Sequence, residues 1–208
     1  MGRRVVGLAV AVEGGLAVGA LLLAWTFGVP VWASVHGSLS GWLGGLLATV
    51  PMLAALWLSY RFPVGPVARL HRLVDELLLP LLRGCRVGDL LLISILAGLG
   101  EELFFRGFVQ DGLRQWLGPW VGEARALWLA LAVASLLFGL AHCLSVAYVV
   151  FATVLGLFLG WLYLATGDLV APIVAHALYD FVALLVLVRR RDPTILDGAP
   201  PMDVAEQG

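Results

Sequence analysis

The chain has 208 residues, 61% of them hydrophobic and 13% charged, with a mean hydropathy of +0.97 and a net charge of −1. A soluble globular domain carries about 25% charged residues, so this chain lacks the polar surface to face water and most of it is solvated by lipid. Nothing in that charge balance points to nucleic acid, and the two cysteines, Cys85 and Cys143, fit neither a metal nor a disulfide spacing.

The apolar runs are continuous. Strands of a membrane barrel would alternate apolar and polar residues, so the spans are helices of about 20 residues. The first runs over residues 5–29 and ends at Pro30. Arg3 and Arg4 resemble the charged start of a signal peptide, but Glu13 interrupts the run and no cleavage pattern follows, so this is read as a retained span. The second covers residues 39–60, with Pro51 inside it as a tolerated kink. Residues 66–83 differ: Arg69, Arg72, Asp75 and Glu76 alternate at helical spacing with Val67, Leu70, Leu73, Val74 and Leu77, the pattern of an amphipathic helix lying on the membrane surface, with an ordinary loop helix as the alternative. Four further spans follow, at residues 90–109, 126–142, 145–165 and 169–188. The expected fold is an all-α polytopic bundle of about six spans plus one interfacial helix. Residues 1–188 form a single transmembrane domain, and residues 189–208 a polar, disordered cytoplasmic tail.

Arginines orient the chain. Arg3 and Arg4, then Arg61, Arg69, Arg72, Arg83 and Arg86, then Arg189 to Arg191, all fall on one side of a six-span topology. Both termini are therefore expected in the cytoplasm.

Ionisable residues inside spans are costly and are functional suspects. Three groups stand out. In the third span Glu101 and Glu102 precede Arg106; Glu102 and Arg106 are four apart and share a helix face. Such a pair offsets part of its burial cost and explains itself as packing. Glu101 points about 100° away and is left unexplained; a carboxylate held in low dielectric can serve as a general base. The fourth span ends on Phe138-Gly139-Leu140-Ala141-His142, and the sixth contains His176-Ala177-Leu178-Tyr179-Asp180. Each alone suits a structural hydrogen bond. Together they put acid and imidazole groups on three separate helices, and one shared polar site accounts for all of them better than several unrelated burials.

In that order the three segments, EELFFR at 101–106, FGLAH at 138–142 and HALYD at 176–180, resemble the signature of the CAAX protease and bacteriocin-processing (Abi) family of intramembrane endopeptidases. The resemblance covers residues 88–185. It implies an endopeptidase acting on a peptide or protein substrate, prenylated or membrane-associated, in the bacterial inner membrane. It implies that Glu101 and His142 activate the attacking water, that His176 and Asp180 stabilise the oxyanion or help hold a metal, and that Glu102 and Arg106 orient the site. Position 180 is Asp where the prenyl-protein proteases of the family carry Asn. An ionised Asp cannot donate to an oxyanion, which favours an orienting role for Asp180 and weakens the case for prenylated substrates. Family members are often named metalloproteases, and Glu101, His142 and His176 would suit zinc with one open position. A Glu–His pair also activates water without metal, and both routes stay open at this point. The alternatives are a non-catalytic immunity or scaffold protein with a structural polar cluster, and a proton-coupled transporter. The absence of an inverted repeat argues against the last.

Overall fold

The computed structural model describes residues 2–82 and 84–191, and no described residue lies in a strand. The elements are α1 (Gly2–Phe27), a short 3-10 turn (Val31–Ser34), α2 (Leu39–Arg61), α3 (Gly65–Leu82), α4 (Val87–Glu102), a π-helical stretch (Leu103–Gln110), α5 (Asp111–Val121), α6 (Glu123–Ala141), α7 (Val146–Thr166) and α8 (Val170–Arg191). Five of them, α1, α2, α6, α7 and α8, are long and apolar enough to cross a membrane. Leu8, Trp25, Leu47, Trp57, Trp128 and Val154 stand exposed on their outer faces, the surface a bilayer covers. The amphipathic segment is α3, in which only Leu82 is fully buried.

The third expected span is longer than residues 90–109. α4, the π-helical stretch and α5 follow one another without a break from Val87 to Val121. Nothing between Gln110 and Gly118 stops a helix. The stop comes at Gly122, whose φ of +85° is readily adopted only without a side chain. This extension removes a conflict of depth. In a span of residues 90–109, Glu101 would lie past the middle, away from His142. In the longer rod it falls in the half nearer the α6–α7 turn. The sixth span also continues past residue 188, because Arg189, Arg190 and Arg191 complete α8. The rest of the expected tail, residues 192–208, lies outside the described residues.

Two packed clusters fix the ends of the bundle. At one end Leu82, Cys85, Leu90, Leu187 and Val188 pack with Val5 and Val74, which gathers the starts of α1 and α4, the surface helix α3 and the end of α8. Arg4, Arg61, Arg86 and Arg190 belong to this end. At the other, Ala24, Val29, Val31, Leu103, Tyr163 and Leu169 join the end of α1 to the α7–α8 corner. Asp168 locks that corner. Its Oδ2 accepts from the backbone N–H and the hydroxyl of Ser38 (2.8 and 2.7 Å), and its Oδ1 accepts from the N–H of His36 (3.2 Å) and of Val170 (3.0 Å). One side chain thus caps α8 and ties the loop before α2 to it.

Between these ends the helices approach closely at small residues. A Cβ on Gly98 would stand 2.9 Å from the Ala177 backbone nitrogen, and one on Gly139 would meet Thr153 and the Val149 carbonyl oxygen at 2.7 Å. These glycines draw α4 against α8 and α6 against α7, the small-residue packing that membrane helices use where no hydrophobic effect drives association.

Candidate active site

The α4 rod carries the centre of the site. Glu102 is completely buried. Its Oε1 accepts from Arg106 Nη1 at 2.7 Å, one helical turn on, and from His176 Nδ1 on α8 at 2.8 Å. Arg106 is equally buried; its Nη2 donates to the Gly156 carbonyl of α7 (3.1 Å) and its guanidinium lies 4.6 Å from the centroid of the Phe138 ring. Partners on α6, α7 and α8 thus surround the buried charge pair, while among the described residues Glu102 Oε2 has no hydrogen-bond partner. The backbone widens into its π-helical turn over Leu103–Gln110, directly after the acid pair, a local form that recurs at functional sites.

Glu101 faces elsewhere, as its angular offset requires. Its Oε2 lies 3.6 Å from His142 Nε2 and 3.9 Å from His176 Nε2. Among the described residues this buried oxygen has no hydrogen-bond partner. His142 ends α6, and its Nδ1 sits 2.8 Å from the Phe138 carbonyl oxygen. A carbonyl can only accept, so Nδ1 carries the proton and the Nε2 of the neutral ring presents a lone pair toward Glu101. Nδ1 of His176 donates to Glu102, which leaves its Nε2 between Glu101 and Asp180 Oδ2, the latter at 3.5 Å. All six sequence-identified residues, Glu101, Glu102, Arg106, His142, His176 and Asp180, are therefore in one connected cluster.

His142, His176 and Asp180 open onto a cavity of about 250 Å³, joined there by Tyr148 and Tyr179. Its walls are otherwise mainly apolar, from α2, α7 and α8, and α3 covers it with Leu70, Val74 and Leu78. At the outer end His71 of α3 receives or donates a hydrogen bond with the Ser59 hydroxyl (3.1 Å) and stacks on Tyr60, whose ring carries Arg190 at 4.3 Å. Burial holds the His71 imidazole below its ordinary range; Asp75 pulls it upward and Arg190 adds to the lowering.

Two further polar residues near the cluster belong to none of the three motifs. Glu13, on α1, marks itself in the sequence only as a break in an apolar run. It has a buried oxygen without a hydrogen-bond partner among the described residues and lies within electrostatic reach of Glu101, His176 and Asp180. The rule that flagged Glu101, an ionisable residue inside a span, applies equally to it. Tyr148 lines the cavity beside His142, their rings 6.1 Å apart. Nothing in its sequence context sets it apart from any interfacial tyrosine.

Glu101, His142 and His176 are the residues that would hold a zinc ion. One carboxylate and two imidazoles are suitable ligands. Among the described residues, however, no three His, Cys, Asp or Glu side chains are grouped so as to hold a metal ion. The chemistry below is derived for the chain's own groups.

A helical bundle with five long apolar helices, and with acid and imidazole side chains along an apolar cavity, defines an integral membrane protein with a polar site among its spans. Residues 85–182 match the family model described as type II CAAX prenyl endopeptidase Rce1-like. That stretch contains all three motifs, and over it the chain is similar to that endopeptidase family. No curated protein and no solved structure matches the chain.

Proposed function

We propose that the protein is an endopeptidase that hydrolyses a peptide bond with water activated by Glu101 and His142. The observation that carries this reading is the convergence of Glu101, His142, His176 and Asp180 from three helices, with His142, His176 and Asp180 lining one cavity and Glu101 directly behind the two imidazoles. Water held between the Glu101 carboxylate and the His142 Nε2 lone pair attacks the carbonyl carbon and gives one proton to Glu101. The negative charge that develops on the carbonyl oxygen faces His176 Nε2, which donates to it when protonated; Asp180 holds that ring in place and does not itself donate. Glu101 then returns its proton to the leaving nitrogen as the carbon–nitrogen bond breaks. The products are a carboxylic acid and an amine, and the base is regenerated. Glu102 and Arg106 act through His176, fixing its ring by the Nδ1 hydrogen bond.

The apolar cavity beneath an amphipathic helix supports a substrate that reaches the site from the membrane, either prenylated or otherwise membrane-associated. The arginines gathered where α1 begins and α8 ends support a topology with both termini cytoplasmic; the membrane in this proposal is a bacterial inner membrane. The test is peptide cleavage by the protein reconstituted in liposomes. Glu101→Gln and His142→Ala should each lower kcat by about 10²-fold or more, the scale of general acid–base catalysis. Equal cleavage by wild type and both variants would end the reading and favour a non-catalytic scaffold.

A further inference from the structure

The mechanism above gives every motif residue a task but leaves Glu13 unused. Glu13 stands on α1, outside residues 85–182. α1 and α4 both start at the arginine-bearing end of the bundle and run parallel. At 1.5 Å per residue Glu13 lies about 16 Å into α1 and Glu101 about 21 Å into α4, within one helical turn of the same depth. The two helices touch there backbone to backbone: a Cβ on Gly100 would sit 2.5 Å from the Glu13 carbonyl oxygen. At that level both Glu13 Oε2 and Glu101 Oε2 are buried without a hydrogen-bond partner among the described residues. A buried acceptor left unmet costs about 1–3 kcal/mol and calls for an explanation. Around Glu13 the charged groups are Glu101 on α4 and His176 and Asp180 on α8. His142 approaches Glu101 from a different helix, α6.

A peptide bond drawn into this site brings a donor that the motif residues leave unmatched. The N–H of the scissile amide has lost its water and needs an acceptor. We propose that Glu13 is that acceptor: its carboxylate binds the N–H of the leaving nitrogen, beside the acid that protonates it. The covalent chemistry is unchanged. Water's first proton passes to Glu101 and then to the leaving nitrogen, its oxygen and second proton stay with the new carboxyl group, and the departing amine keeps its original hydrogen on Glu13. Glu13 is thus a substrate-binding catalytic residue, and the role rests on the peptidase reading above.

The discriminating experiment compares an amide substrate with its depsipeptide, in which the scissile N–H is replaced by oxygen. The full-length protein is reconstituted in liposomes as wild type, Glu13→Ala, Glu13→Gln and Glu101→Gln. Glu13→Ala should lower kcat/KM for the amide at least tenfold and leave the ester within about twofold, because an ester has no N–H to lose. Glu13→Gln, whose carbonyl oxygen also accepts, should stay within about threefold of wild type on the amide. An equal loss on both substrates would mark Glu13 as structural and overturn the proposal, and so would an amide rate untouched in Glu13→Ala. If Glu101→Gln loses cleavage while Glu13→Ala matches wild type, only the role of Glu13 falls. If wild type and Glu101→Gln are alike, the peptidase reading falls and takes this role with it.

Discussion

The buried pair Glu102–Arg106 is where one side chain has the largest consequence. Removing Arg106 leaves a fully buried carboxylate without its cation, a loss of about 3–5 kcal/mol. Arg106→Leu should therefore lower the melting temperature in detergent steeply and abolish cleavage. The double variant Glu102→Leu, Arg106→Leu removes both charges and should recover much of the stability. It should not recover activity, because Glu102 also holds His176 Nδ1. Equal activity of the double variant and wild type would mean that the ring needs no such anchor. Asp168 makes a separate, pH-dependent contribution outside the spans. Burial alone pushes its carboxyl upward, but hydrogen bonds from the Ser38 hydroxyl and from the N–H groups of Val170, Ser38 and His36 outweigh burial and bring it down to about 2. A folded value below the ordinary 3.8 stabilises the protein fully above about pH 4, and that stabilisation drains away as pH falls toward 2. Asp168→Asn should thus melt below wild type at neutral pH, with the gap closing between about pH 4 and pH 2. Cys143, exposed and unpaired, should be replaceable by Ser without effect, despite adjoining His142.

Helix pairs set the geometry that those residues inherit. Gly139 lets α6 lie against α7 one turn before His142. Gly139→Ala should part the two helices, lower the melting temperature and slow cleavage together, whereas Gly7→Ala, with nothing within 4 Å of the added methyl, should leave both unchanged. Comparable melting curves for the two variants would show that the α6–α7 contact is softer than its distances suggest. At this scale the sequence was legible wherever composition alone decides. Each apolar run became a helix, and the amphipathic period over residues 66–83 became α3. The continuation of α4 through the π-helical stretch into α5 was not legible, because Leu103–Gln110 pairs its backbone differently without any residue that announces it. The six polar positions could be read because charge inside a span is rare. The Glu102–Arg106 pair could be read from its four-residue spacing, but which acid meets which imidazole could not, because it depends on which helix faces meet: Glu102, rather than Glu101, takes His176 Nδ1. Glu13 was readable by the same rule of rarity but stood outside the motifs that drew attention.

For the molecule as a whole, the family-matched stretch is not a complete site. Residues 85–182 hold the acids and imidazoles, yet α2 and α3 supply part of the wall of the cavity and α1 brings Glu13 to Glu101. On the proposed reading the arrangement separates two functions: the rod, α6 and α8 hold the reacting groups, while α2, α3, α7 and the end of α8 enclose the space the substrate would enter. Filling that space should therefore block the reaction without touching its chemistry. Ala183 lies on the cavity wall, two helical turns beyond His176 and only partly buried. An indole at that position would occupy much of a volume of about 250 Å³. Ala183→Trp should lower kcat/KM at least tenfold for a membrane-anchored peptide and keep the melting temperature near that of wild type, because the added ring fills a void and displaces no packed neighbour. A short soluble peptide that reaches the acids without using the cavity should be cleaved at a rate closer to that of wild type. If both substrates are cleaved normally, the substrate enters by another route and the cavity under α3 is not its path.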